Sequence, residues 1–158
     1  MSFFRKILGS GQAPERAQVR SSHQKPAAMS DGMQFQLLDG GVGLEVVGES
    51  YRQENLWRLV DGQHRPEDRV HVDVCAVLKP ETDNPYDSNA VSVWVDDRKV
   101  GYLSRDNARQ YRPGVLALQR EHGKPIALRG IVAGGGIREH GPGLLGVFLR
   151  HDPADFGL

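Results

Sequence analysis

The sequence holds only one cysteine, Cys75, so an internal disulfide is impossible and no thiolate set exists for a zinc site. Cys75 falls within an apolar alternation, where a buried and inert thiol is expected. No apolar run approaches the length of a membrane span. The opening Met1-Ser2-Phe3-Phe4-Arg5-Lys6-Ile7-Leu8 places its basic residues after the aromatics and lacks the extended apolar core of a secretory signal. A cytoplasmic protein with no membrane association is therefore expected. Excess charge of either sign is also missing: 20 Lys and Arg balance 20 Asp and Glu. That excludes a protein that coats long stretches of duplex through many phosphate contacts, but permits a small pocket meeting few of them.

Catalytic and cofactor signatures are lacking as well. No Gly-x-Ser-x-Gly elbow occurs, and Gly134-Gly135-Gly136 has no Lys-Ser/Thr after it, so it reads as a hairpin loop instead of a phosphate loop. His64, His71, His122, His140 and His151 show no metal-ligand spacing and are expected to be solvated or in loops. Glu81, Asp83, Asp87 and Asn89 lack the central glycine and terminal glutamate of a calcium loop. Asp96-Asp97 sits in a turn. No metal, cofactor or catalytic residue is expected, and a metal-dependent nuclease built from the scattered Asp68, Asp73 and Glu81 ranks last.

What is present divides in two. Residues 1–34 are rich in Gly, Ser, Gln, Ala and Pro, with Arg5, Lys6, Arg16, Arg20 and Lys25 outweighing Glu15 and Asp31. Such a segment buries too little apolar surface to offset its ordering entropy, so a basic, largely disordered tail is expected there. Residues 35–158 carry the pattern of one ordered domain. Leu44 to Gly48 forms a first strand, with Gly48 inviting a bulge. Asn55 to Val60 continues it or begins a short helix around Trp57. Asp61-Gly62 and Arg65-Pro66 mark a loop. Val70, Val72, Val74, Ala76 and Leu78 alternate with His71, Asp73 and Lys79, a long strand with one face inward.

The most informative stretch is Asp83 to Ala108. Asn84-Pro85 opens a rigid turn, because proline presets its own φ and pushes the preceding residue out of the α region. Tyr86 and Asp87 stand on that turn with no core duty. Val91, Val93 and Val95 then alternate with Ala90, Ser92 and Trp94 as a strand; Asp96-Asp97-Arg98 turns the chain and Lys99 to Leu103 returns. Ser104 has the character of an N-cap for a helix from Arg105 to Tyr111. Pro113 interrupts this helix or opens a second one running to Glu121, with Val115, Leu116 and Leu118 inward and Gly123 as terminator. Pro125 to Val132 is a further strand, Ala133 to Gly143 a flexible loop, and Leu144 to Arg150 the closing strand. Together these predict an all-β domain with helical insertion, an OB-like six-stranded β-barrel with one or two short helices. The periodicity is equally compatible with an open α+β sheet.

Tyr51, Asn84, Tyr86, Asp87 and Arg105 have the chemistry to hold the end of a single strand. Tyrosine rings offer a stacking surface for a base, and Arg105 at a helix start suits a phosphate. Asp87 can accept from a free 3′-hydroxyl but repels a phosphate in the same place. The same Asn-Pro-Tyr-Asp-Ser-Asn run is also simply a good turn.

Asn84-Pro85-Tyr86-Asp87-x-Asn89-Ala90-Val91-x-Val93, followed by Val100-Gly101-Tyr102-Leu103 and preceded by Val46-Val47-Gly48-Glu49-Ser50-Tyr51, resembles the HIRAN domain family from about Leu44 to Leu118. The resemblance implies an OB-like barrel and capture of the 3′ end of single-stranded DNA. It assigns stacking to Tyr51 and Tyr86, hydroxyl recognition to Asp87, phosphate binding to Arg105, and a place near the nucleotide to Asn84. A basic residue and a second tyrosine of the family pattern are Ser50 and Arg52 here, and a histidine is Tyr102. Arg52 supplies charge from a neighbouring position and Tyr102 offers another ring. The resemblance further implies a role in DNA repair or replication-fork handling, with a separate helicase or nuclease as partner. The alternative is a protein-interaction module that uses an exposed strand edge or the Gly-rich loop.

Overall fold

The structure is a computed structural model that describes residues 35–60 and 68–158. The expected tail at 1–34, the Asp61 to Pro66 loop and His64 lie outside the described residues. Ten strands are described: β1 (Gln36–Leu38), β2 (Val42–Leu44), β3 (Val46–Val47), β4 (Arg69–Pro80), β5 (Val91–Val95), β6 (Arg98–Leu103), β7 (Ile126–Gly135), β8 (Ile137–Arg138), β9 (Gly141–Pro142) and β10 (Leu145–His151). Two α-helices accompany them, α1 (Gln53–Leu59) and α2 (Arg105–His122).

The main sheet runs β2-β10-β7-β4-β5-β6-β3, with β1 parallel to the start of β7. Its two ends are halves of one chain segment. Leu44, Gly43 and Val42 pair with β10, and two residues further on Val46 and Val47 pair with Leu103 and Tyr102 of β6. A single strand broken at Glu45 thus bridges the two edges and closes the sheet into a barrel. Counted with β2 and β3 as that one strand, the barrel has six strands, the OB-like architecture expected from the pattern.

Period-2 burial explains the interior. Val91, Val93 and Val95 point inward on β5, as do Leu145, Val147 and Leu149 on β10, and all are almost fully buried. Leu56 and Val60 of the α1 segment plug the core, and Trp57 packs at its edge. The β5–β6 hairpin turns on Asp96 and Asp97, both at positive φ (49° and 65°), the backbone of a type I′ turn. Gly101 lies where a Cβ would fall 2.6 Å from Val46 Cγ1 and 2.7 Å from the Val47 carbonyl, so only glycine lets β6 meet the closing strand.

Helix α2 departs from expectation at Pro113. The helix is continuous over 18 residues with Pro113 inside it. Proline removes one backbone hydrogen bond, but Ala108, Tyr111, Val115 and Leu118 form a buried stripe at helical spacing across that point. Burying such side chains stabilises by roughly 1.5–3 kcal/mol for each large one, enough to hold the turn around one missing bond. Gly114 allows a close approach to the backbone of Phe156. Ser104 caps the start by accepting from the Asn107 N–H (3.2 Å), and Gly123 at φ 65° ends the helix, as expected.

Two further expectations change. Ala133 to Gly143 is not a loop throughout: β7 continues to Gly135 along β4, and β8 and β9 form a small hairpin beyond it. His151 is not solvated but 1% exposed. It continues the inward alternation of β10, with Nδ1 donating to the Val42 carbonyl (2.8 Å) and Nε2 accepting from the Tyr111 hydroxyl (2.6 Å). His71 and His140 are exposed, and Cys75 is buried as expected, where desolvation pushes its thiol up.

Candidate nucleic-acid interface

The Glu81–Ala90 loop is built almost entirely by its own polar side chains. Its ends are joined by the Glu81 N–H donating to the Ala90 carbonyl (2.9 Å). Inside it, Asn84 Oδ1 accepts from the N–H groups of Tyr86 (2.8 Å) and Asp87 (3.1 Å), while Asn84 Nδ2 donates to Glu81 Oε1 (3.0 Å). Asn84 is therefore spent on shaping the turn, the use expected of an Asx residue before proline. Asp87 Oδ1 in turn accepts from the Asn89 N–H (2.9 Å). Arg112 of α2 anchors the far end by donating to the Ala90 carbonyl (3.0 Å).

This construction leaves Tyr86 outside. Tyr86 is 85% exposed, although its backbone is held at both ends: its N–H donates to Asn84 Oδ1 and its carbonyl accepts from Arg105 Nη2 (2.9 Å). The other Asp87 oxygen, Oδ2, lies 4.0 Å from Arg105 Nε, and the Arg105 side chain is itself largely exposed. The Tyr86 carbonyl, a carboxylate oxygen and a guanidinium thus meet at the first residue of α2.

Tyr51 is 88% exposed at the end of a 3-10 turn, Glu49–Tyr51, entered through Gly48 at φ 83°. That turn is pinned to β10 by side chains acting as strand mimics. Glu49 Oε1 accepts from the Val147 N–H (3.1 Å), and Gln53 both donates to the Leu145 carbonyl (2.8 Å) and accepts from its N–H (2.9 Å). Arg52 follows as the half-buried residue leading into α1, with no side-chain partner among the described residues. Both phenols are thus held out in water on anchored turns.

Tyr102 differs from these two. It is half-buried on β6, its hydroxyl accepting from Lys99 Nζ (2.8 Å), with the same ammonium 4.8 Å from its ring centre. Lys99 also pairs with Glu81 Oε2 (3.1 Å), so an unbroken chain Asn84–Glu81–Lys99–Tyr102 ties the loop to the barrel wall. Burial alone would raise the Glu81 carboxyl, but hydrogen bonds from Asn84 and Lys99, with the Lys99 charge, hold it below its ordinary value. Burial would likewise lower Lys99, but its bonds to Tyr102 and Glu81 raise it.

Lys99 and Glu81 are residues that the sequence reading did not place here. Strict alternation puts Lys99 on the face of Gly101 and Leu103, opposite Tyr102. A β-bulge shifts the register: Val93 faces Gly101 while Trp94 faces Lys99, and Val100 is the extra residue. Lys99 and Tyr102 therefore share the outer face. The one signal available was Gly101 inside a strand, which marks such irregularities.

Among the described residues no group of three or more His, Cys, Asp and Glu assembles for a metal ion. No helix among them is long and apolar enough to cross a membrane. Comparison with known proteins returned no curated protein and no solved structure with a significant match. The HIRAN domain family model matches residues 39–117, half of the chain, and spans the closing strand, the Asn84 loop, the β5–β6 hairpin and the first part of α2. The chain belongs to the HIRAN domain family, a membership consistent with a nucleic-acid-binding module.

Proposed function

We propose that this protein is a non-catalytic module that captures the 3′-hydroxyl end of single-stranded DNA, acting in DNA repair or replication-fork handling beside a separate helicase or nuclease. The observation that carries the proposal is the exposure of Tyr51 and Tyr86, 88% and 85%, on turns anchored by backbone and side-chain hydrogen bonds. A tyrosine ring left in water forfeits the burial that stabilises a core residue, whereas a base stacked on it contributes roughly 1–3 kcal/mol. Arg105, already oriented by the Tyr86 carbonyl, meets the last phosphate together with the N–H groups of the first turn of α2. Asp87 keeps one oxygen on the Asn89 N–H and directs the other towards Arg105, so a 3′-hydroxyl has an acceptor there and a 3′-phosphate meets like charge. Asn84 acts as a positioning residue. Arg52 and Tyr102 flank the strand and supply further charge and ring surface.

Binding of short oligonucleotides that end in a 3′-hydroxyl or a 3′-phosphate tests this reading. The hydroxyl end should bind more tightly, and Asp87→Ala should abolish the preference. Equal affinity for the two ends in the wild type sinks it.

A second reading, a protein-interaction module, draws on the hairpin after β7. Ile137 and Leu144 are exposed there, and Leu144 borders an open groove of about 530 Å³ together with Phe148 and Arg138. Under that reading a partner is recovered from nuclease-treated lysate, and oligonucleotides do not compete with it.

A further inference from the structure

The outer face of β4, β5 and β6 holds a feature that end capture does not use. Trp94 lies half-buried on β5, its indole N–H donating to Ser92 Oγ (2.8 Å) and Ser92 donating in turn to the Lys79 carbonyl (3.2 Å). The ring is thus laid back along the strand towards Ser92, the cross-strand neighbour of Tyr102. Two ammonium groups rest over it, Lys79 Nζ at 4.0 Å and Lys99 Nζ at 5.6 Å from its centre. Only Lys99 has a carboxylate partner, Glu81; Lys79 has none among the described residues. Two cations over one ring with a single acid between them leave a net positive, aromatic surface, and the group that completes it is an anion joined to a flat ring. A nucleotide has both parts.

We propose that Trp94 and Lys79 form a second subsite, which receives a nucleotide on the 5′ side of the bound terminus. The inference rests on end capture at Tyr86 and Asp87 and extends it. The Asn84–Glu81–Lys99–Tyr102 chain makes this surface continuous with the terminal pocket, so a strand leaving that pocket over Tyr102 arrives at Lys79 and Trp94. In the free protein the Lys79 ammonium covers the indole. On binding it moves to a backbone phosphate and uncovers the ring for a base. The β-bulge at Val100 serves the same path by turning Lys99 outward beside Tyr102.

The test uses the full chain and 3′-hydroxyl oligodeoxynucleotides that share one terminal dinucleotide and grow at the 5′ end. Wild-type affinity should rise about tenfold or more once the added nucleotides reach Trp94. Lys79→Gln and Trp94→Leu should each remove most of that gain while leaving dinucleotide affinity unchanged. Lys79→Gln should also lower the slope of log K against log salt by about 0.7, the value of one single-strand phosphate contact. Circular dichroism of both variants checks that the barrel is intact, and Lys79→Gln, a surface change, keeps the test open should Trp94→Leu unfold. Dinucleotide binding with no gain on lengthening overturns the second subsite alone, as does a gain that survives Lys79→Gln. Failure of the dinucleotide to bind at all overturns end capture and the extension together.

Discussion

Tyrosine is used in opposite ways at two places on this barrel. Tyr111 on α2 is 7% exposed, edge-on to both His151 and Phe156, and its hydroxyl is committed to His151. Tyr51 and Tyr86 have water around almost their whole rings. The difference lies in what holds the backbone. Tyr111 is placed by the packing it makes, so its ring and its stability contribution are inseparable. Tyr86 is placed by Asn84, Asp87 and Arg105 through backbone hydrogen bonds, which frees its ring from any structural task. One region stores folding energy in its aromatics, and the other holds aromatic surface ready for a ligand.

Breaking the buried side of that comparison should have the largest effect. Tyr111→Ala should cost about 3–5 kcal/mol in denaturant unfolding, through lost burial, the cavity left behind and the orphaned His151 nitrogen. A loss below about 1 kcal/mol would mean that the cluster is not where stability resides. On the exposed side, Tyr86→Ala should leave unfolding within about 0.5 kcal/mol of wild type yet weaken oligonucleotide binding by about 1–3 kcal/mol, measured by titration. A large stability loss there would erase the contrast between the two regions.

Two smaller effects sharpen it. Asp97→Gly relieves a positive φ and removes a charge that, after burial, raises the Asp96 carboxyl, with Arg98 opposing both. Relief of the left-handed backbone outweighs the added unfolded-state entropy of glycine, so the substitution should stabilise the fold by up to about 1 kcal/mol without changing binding, which would show that turn stability and ligand affinity are separable. The smallest effect concerns acid. The Glu81 carboxyl is lowered in the folded state, so its link to Asn84 and Lys99 stabilises the protein above the ordinary value of 4.5 and is lost as pH falls through the lowered folded value. Between pH 7 and pH 3 the wild type should therefore lose slightly more stability than Glu81→Gln. Parallel pH curves for the two would show that the loop does not depend on this ion pair.

Much of the architecture could be read from local pattern. Alternating valines on β5, the Ser104 cap, the Gly123 stop and the Asp96-Asp97 turn each appear where their chemistry predicts, because each acts over only a few residues. The exceptions share a cause. Pro113 stays helical because distant side chains pack across it, and His151 is buried because Tyr111, 40 residues earlier, satisfies it. The candidate site divides along the same line. Tyr51, Tyr86, Asp87 and Arg105 were legible as motif residues, whereas Lys99 was not, since a register shift decides which face it takes.

By itself, then, the sequence determined the strands, the turn chemistry, the caps and the family, all of which depend on short-range stereochemistry and residue order. Only the tertiary structure decided that one strand broken at Glu45 closes the barrel, that two tyrosines stay in water while a third is buried, and that two lysines gather over one indole. Those outcomes depend on register and on contacts between residues far apart in the chain, and no local pattern encodes them.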